Sequence, residues 1–101
     1  MGVETNLRNV SVTANTNILA SNVSPVTPYG WAVITVITSA AGKLSIVHHD
    51  GTNNDIGIAE NNADLEAGTE HTVEVPVPPG ESINIRYSVN DTFKKIIIVE
   101  G

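Results

Sequence analysis

The stretch SIVHHDGTNNDI, residues 45–56, concentrates the side chains best suited to chemistry. Two adjacent histidines, His48 and His49, are followed by Asp50 and Asp55. Imidazole and carboxylate groups bind zinc, and an imidazole oriented by a carboxylate acts as a catalytic base. The stretch is therefore a metal site, a catalytic base with its orienting partner, or a strand that runs into a turn.

Strand geometry argues against one metal ion shared by the two neighbouring histidines. Adjacent side chains on a strand point to opposite faces, whereas two ligands on one strand need positions i and i+2. We expect His48 on the face of Ile46 and His49 on the face of Val47, with one histidine partly buried and the other exposed. A small metalloprotein that uses His48, His49 or His71 with an acid from elsewhere stays open as an alternative.

The oxygen-bearing residues of the same stretch have a simpler explanation than calcium. Asp50, Asn53, Asn54 and Asp55 carry suitable oxygen ligands but do not follow the EF-hand order. A hairpin turn favours the same residue types, because Asp and Asn tolerate left-handed backbone angles. We interpret this segment as a turn.

No catalytic constellation is recognisable. Glu70 and Glu74 flank Thr72 on what we expect to be the outward, solvent-exposed face of one strand. Glycosidase carboxylates need a cleft and a separation of about 5–10 Å across a bound sugar, and no nucleophile-elbow, phosphate-loop or zinc-protease motif is present. We predict a non-enzymatic protein without a cofactor.

The charge balance limits the partners. Eleven acidic and five basic residues give a net charge of −6 and a pI near 4.7. Such a surface is repelled by nucleic acid and by anionic membranes. There is no cysteine, no signal-peptide pattern and no apolar segment long enough to span a bilayer. We expect a soluble protein that binds neither nucleic acid nor membrane.

A second binding hypothesis concerns the aromatic residues, of which the chain has only four. Tyr29 and Trp31 flank Gly30 at a strand start, in the i and i+2 relation that could form a flat platform for a sugar ring. A carbohydrate-binding module centred on Tyr29 and Trp31 is the alternative to a structural role, although the apolar sequence that follows also suits Trp31 to a core.

The residue pattern predicts an all-β fold. Valine and isoleucine far outnumber leucine, and β-branched residues favour strands. Segments such as HTVEVPV and SINIRYSV alternate apolar and polar residues, as half-buried strands do. We predict a single-domain antiparallel β-sandwich over residues 1–101, jelly-roll-like, with about eight strands near residues 7–14, 16–20, 31–38, 43–49, 55–59, 70–77, 82–88 and 92–99.

Two predicted strands, WAVITVIT and FKKIIIVE, are apolar on both faces. An ordinary surface strand of a sandwich has one solvated face, so an apolar second face indicates either a central strand that is covered by loops or a contact with another subunit. We expect a homo-oligomer, with residues 1–9 as a candidate flexible arm that orders on docking. The expected interface residues are Trp31, Val33, Phe93, Ile96, Ile97 and Ile98.

The C-terminal half carries a family resemblance. Asn62, Leu65 and Gly68 precede an alternating strand, and a Pro78-Pro79-Gly80-Glu81 turn leads into Ile83-Asn84-Ile85 and a final apolar strand. With the opening segment TNILASNVSP, this resembles small all-β virion-associated proteins of tailed phages and archaeal viruses. The resemblance implies a capsid decoration or surface subunit on the virion, often a trimer, that binds the major capsid protein or another lattice protein.

Overall fold

The computed structural model describes residues 3–18, 30–50, 55–77 and 81–100. These residues form two antiparallel sheets and no helix, so no helix long and apolar enough to cross a membrane occurs among them. The seven strands are β1 (Val3–Val12), β2 (Trp31–Ile37), β3 (Gly42–His49), β4 (Asp55–Leu65), β5 (Glu70–Pro76), β6 (Ser82–Tyr87) and β7 (Asp91–Glu100).

The strands form a sandwich of two antiparallel sheets. The four-stranded sheet has the order β1-β7-β2-β5, and the three-stranded sheet has the order β4-β3-β6. Among the described strands, only β3 and β4 are both consecutive in the chain and neighbours in one sheet, and the chain crosses between the sheets after β2, β4, β5 and β6. The predicted all-β antiparallel sandwich is therefore confirmed.

The core lies between the inner faces of the two sheets. Opposed residues of an antiparallel pair share a face, and the pairs Ile34–Ile98 and Val36–Ile96 both point inward from the four-stranded sheet. The fully buried side chains that join the sheets include Ile34, Val36, Leu44, Ile46, Val75, Ile83, Ile85, Tyr87, Phe93, Ile96 and Ile98. Branched side chains fill this layer because they pack well on a pleated surface.

Tyr87 is the largest of these residues and also bonds to the backbone. Its ring meets that of Phe93 edge to face, with the centroids 5.0 Å apart. Its hydroxyl donates to the Ala40 carbonyl at 2.6 Å, in the connection where the chain crosses from β2 to β3. The backbone N–H groups of Ser39 and Ala40 donate to the Asp91 carboxylate. The Tyr87 hydroxyl and the Asp91 carboxylate thus both bind the backbone of the β2–β3 connection.

The N-terminal expectations need correction. Residues 3–9, which we expected to form a flexible arm, lie in β1 and pair with β7. The strand expected at 16–20 is only partly described, and its described residues are not a strand. Residues 15–18 cover the edge of β6 instead, because Asn15 N–H donates to the Tyr87 carbonyl at 2.7 Å and Ile18 N–H to the Ile85 carbonyl at 2.8 Å.

Strand β4 is longer than the sequence predicts. We expected it to end at residue 59, but it continues to Leu65 through the polar pair Asn61 and Asn62. Asn62 has a positive φ of 51°, and the pairing with β3 shifts register between Leu44 and Ile46. A strand can continue through an irregularity of this kind when the residue there is an asparagine, because asparagine tolerates the left-handed conformation.

The close approach of Gly42 to the Tyr87 ring leads to a prediction about stability. A Cβ built on Gly42 would stand 2.7 Å from Tyr87 Cζ, and that ring is fully buried and cannot move aside. We expect Gly42→Ala to lower the free energy of unfolding by about 1–3 kcal/mol through overpacking, measured by urea denaturation.

Gly57→Ala is the matched control. A Cβ at Gly57 meets nothing nearer than His48 Cδ2 at 3.7 Å, an ordinary contact. Alanine also restricts the unfolded chain, so this variant should be neutral or more stable by up to about 1 kcal/mol. Equal effects of the two substitutions would contradict the described packing of Tyr87.

Candidate functional site

The two adjacent histidines both lie half-buried at the end of β3, so the expectation that one of them is exposed is wrong. His48 Nδ1 stands 3.7 Å from Glu81 Oε1, and His49 Nδ1 stands 4.0 Å from Asp50 Oδ1. The β3–β4 pairing shifts register between His48 and His49. This shift interrupts the simple alternation from which we inferred their different exposure.

The third histidine is separate from the other two. His71 lies on β5 beside Val36 of β2, and its Nε2 stands 4.0 Å from Glu60 Oε1 on β4. His71 and Glu60 thus meet across the side of the sandwich where β4 and β5 lie. Within the described ranges, no group of three histidine, aspartate or glutamate side chains is placed to hold a metal ion.

The oxygen-rich turn is described only at its ends. Asn53 and Asn54 lie outside the described residues, and Asp55 begins β4. The Asp55 carboxylate accepts two hydrogen bonds from the Arg86 guanidinium, at 2.9 Å from Nη1 and 2.8 Å from Nη2. This bidentate pair crosses from β6 to β4 over the outer face of the three-stranded sheet, and sequence spacing gave no signal for it.

A hollow of about 500 Å³ lies on the same outer face, and we call it the depression. Strand β3 forms its floor, the Asn61–Asn62 irregularity of β4 forms one side, and β6 with Asn15 forms the other. Its lining residues are Asn15, Lys43, Ser45, Val47, Asp55, Gly57, Ile58, Asn61, Asn62, Arg86, Tyr87 and Ser88.

Polar side chains in the depression are already held in place by one another. Asn62 N–H donates to Ser45 Oγ at 3.2 Å, and Asn62 Nδ2 donates to Asn61 Oδ1 at 3.1 Å. Lys43 Nζ bonds to Asp64 Oδ1 at 2.7 Å. The two cationic groups that line the depression, Lys43 and Arg86, are thus each paired with a carboxylate.

The pairing with Arg86 sets the acidity of Asp55. The hydrogen bonds from the guanidinium, helped by its charge, hold the pKa of Asp55 below its ordinary value. His49 lowers it further, while partial desolvation and Asp50 act in the opposite direction.

The opposite surface of the sandwich is apolar at its centre. On the outer face of the four-stranded sheet, Val33 of β2 pairs with Val99 of β7, and Ile97 lies one step along β7. Trp31 begins β2 on the same face and is 39% exposed. We call Trp31, Val33, Ile97 and Val99 the outer strip. The last three are half-buried, so each keeps part of its surface open to a partner.

The other residues that the sequence analysis singled out lie in different parts of the fold. Phe93, Ile96 and Ile98, which we expected at an interface, are buried in the core and join the two sheets. Tyr29 lies outside the described residues. Glu70 and Glu74 are exposed on the outward face of β5, as expected. The sequence could not assign the faces of β7, because its isoleucines occupy both.

Comparisons with known proteins show the fold and no more. No protein-family model matches the chain, and no curated protein matches its sequence. A protein of Bacillus endospore appendages, described as a novel family of disulfide-linked pili, matches with a TM-score of 0.57 and 14% identity over 98% of this chain and 81% of that one.

Two virus proteins resemble the chain more remotely. The tobacco streak virus coat protein dimer has a TM-score of 0.47 at 10% identity, over 98% of this chain and 85% of that one. A pentameric capsid protein from metagenomic phage sequences has a TM-score of 0.46 at 15% identity, over 98% of this chain and 61% of that one. At TM-scores below 0.5, these two similarities do not indicate a role for this chain.

The Asp55–Arg86 pair generates a prediction about pH. Because the folded pKa of Asp55 is depressed, its contribution to stability is present above the unfolded value of about 3.9 and is lost as pH falls through the folded pKa. We expect Arg86→Gln to raise the midpoint of the Asp55 carboxyl titration, followed by carbon-detected NMR, to the ordinary range.

Arg8→Gln is the control for that titration, because Arg8 lies on the other sheet. It should leave the Asp55 midpoint unchanged. An Asp55 midpoint that is ordinary already in the wild-type protein, or that does not respond to Arg86→Gln, would contradict the described pair.

Proposed function

We propose that the protein is a non-enzymatic structural subunit that binds protein surfaces through the outer strip, and that a second copy of the chain is its first partner. The observation that carries this proposal is the apolar centre of an outward-facing sheet, with Trp31 39% exposed at its end. Outward apolar side chains gain free energy when a partner removes them from water.

The surroundings of the outer strip support a contact surface. Glu4 and Arg8 flank it on β1, and Glu70 and Glu74 flank it on β5. Specific interfaces have this arrangement, an apolar centre inside a polar and charged margin. The margin orients a partner, while the apolar centre supplies most of the binding free energy.

The charges on β1 favour a second copy as the partner. Glu4 and Arg8 lie on either side of Asn6, and Asn6 is opposite Ile97 on β7. Two copies can be stacked with their four-stranded sheets face to face, related by a two-fold axis that lies between the sheets, perpendicular to the strands, and passes near Ile97. The strands of one copy then run antiparallel to those of the other. Glu4 of one copy would then face Arg8 of the other, and Ile97 would meet its own counterpart, as a symmetric dimer contact requires.

The opposite edge of the sheet limits where this contact can lie. The same axis would bring Glu70 and Glu74 of the two copies together, and like charges repel. The contact should therefore centre on β1, β7 and β2 and leave β5 at the solvated margin. These 101 residues contain no cysteine, so disulfide bonds between them cannot hold an assembly.

We propose a virion surface as the setting, with docking on a repetitive lattice of the major capsid protein or another virion protein. The support for this setting is the resemblance of the C-terminal half to small virion-associated proteins. A rigid sandwich with one apolar outer face suits such a subunit, because it can bind a lattice without a reaction to perform.

Carbohydrate binding at Tyr29 and Trp31 remains a second candidate function, and one observation favours it. Trp31 is exposed and not part of the core, which an aromatic platform requires. A glycan that quenches or shifts the Trp31 fluorescence would support this alternative.

The proposed contact is tested by charging its centre. We expect sedimentation velocity on the wild-type protein to show a concentration-dependent dimer or larger homo-oligomer. Ile97→Glu should weaken association at least tenfold, equivalent to about 1.4 kcal/mol, because it would bury a charge without a partner.

The control is Ile56→Glu, which places the same charge at a residue that is 52% exposed on β4 of the other sheet. This variant should associate like the wild type. A wild-type protein that stays monomeric at millimolar concentration, or equal losses in the two variants, would refute a contact at the outer strip.

A further inference from the structure

We propose that the depression on the three-stranded sheet binds a small neutral saccharide. It is a second binding surface, on the sheet opposite the outer strip, and it contains neither Tyr29 nor Trp31. Its lining combines amides, hydroxyls, a guanidinium–carboxylate pair and one exposed isoleucine around a volume of about 500 Å³, within the usual range of roughly 300–1,000 Å³ for small-molecule sites.

The charges of the depression point to an uncharged ligand. Arg86 is held by Asp55 through two hydrogen bonds, and Lys43 is held by Asp64 at 2.7 Å. An anionic ligand would have to compete with these carboxylates for the same cations, and a cationic ligand would meet carboxylates that are already neutralised. A neutral ligand can bind without breaking either ion pair.

The same groups retain the hydrogen-bonding capacity that sugar hydroxyls require. A guanidinium carries five N–H donors and a carboxylate about four acceptor sites, and the Asp55–Arg86 pair uses two of each. The pair therefore presents donors and acceptors side by side in one fixed plane. Neighbouring hydroxyls on a sugar ring both donate and accept, so they match such a pair.

The rim and the floor supply the remaining contacts. Asn61 and Asn62 form a polar lip, in which Asn62 N–H donates to Ser45 Oγ and Asn62 Nδ2 donates to Asn61 Oδ1. Ile58, 64% exposed, also lines the depression. It offers an apolar surface for the C–H face of a sugar ring, in place of an aromatic platform. A site ordered before binding loses less entropy when the ligand arrives.

The experiment is a binding titration of the wild-type protein by NMR chemical shifts. The probes are glucose, galactose, mannose, N-acetylglucosamine and the β-1,4-linked disaccharides of glucose and N-acetylglucosamine, with glucuronate as the charged comparison. We expect at least one neutral sugar to bind with a Kd of about 1 mM or tighter, as the binding free energy of a small ligand allows. The shifted amides should belong to residues 43–47, 57–62 and 86–88.

Two variants with matched controls locate the site. Asn61→Ala removes an exposed side chain of the lip, and Arg86→Gln removes the donors that bind Asp55. Each should weaken binding at least fivefold, while Thr92→Ala and Lys94→Gln, which change exposed polar residues of β7 on the other sheet, should not. Circular dichroism and thermal melting check that the variants stay folded, and Asn61→Ala keeps the test decisive if Arg86→Gln does not fold.

Ionic strength gives an independent readout. Binding of a neutral ligand should change less than twofold between 50 and 500 mM NaCl, because no charge pair forms. The proposal is overturned if no neutral sugar of the panel shifts these amides at 20 mM, if glucuronate binds more tightly than its neutral counterpart, or if Asn61→Ala has no effect. None of these outcomes bears on self-association, which involves the other sheet.

Discussion

The contact between the inner faces of the two sheets is the interaction on which the rest of the molecule depends. Neither sheet is stable alone, because each must remove a layer of valine and isoleucine side chains from water. Tyr87 adds a directional element to this layer, since its ring packs on Phe93 while its hydroxyl holds the carbonyl of Ala40 in the β2–β3 crossing. The same contact decides which residues of each strand remain for the outer surfaces.

The two outer surfaces differ in chemistry, and this difference suggests a division of roles. The four-stranded sheet keeps an apolar centre in Val33, Ile97 and Val99, which suits a protein partner. The three-stranded sheet carries ion pairs and amides instead. The irregular pairing of its β4 strand forms one side of the depression on this face. A subunit of this kind could therefore associate through one face while it presents the other to a small polar ligand.

Local alternation was enough to predict β5 and β6, because their apolar residues recur at every second position and their polar residues face outward. It could not predict the inner face of β7, where Ile96 and Ile98 are buried while Ile97 points outward, since only the opposite sheet distinguishes them. It also missed the second half of β4, because Asn61 and Asn62 are typical turn residues that here occupy an irregular strand. The Asp55–Arg86 pair joins residues far apart in sequence, and only the sheet pairing brings them together.

Trp31 gives the most direct test of the outer strip, because it is the only tryptophan of the chain and lies at the end of the strip. Its emission maximum and its quenching by acrylamide can be followed as the wild-type protein is concentrated from the micromolar to the millimolar range. If copies associate through this face, the emission should move to shorter wavelength and quenching should decrease together with the growth in mass. Growth in mass with unchanged emission and quenching would mean that the copies meet elsewhere, which would contradict a contact at the outer strip.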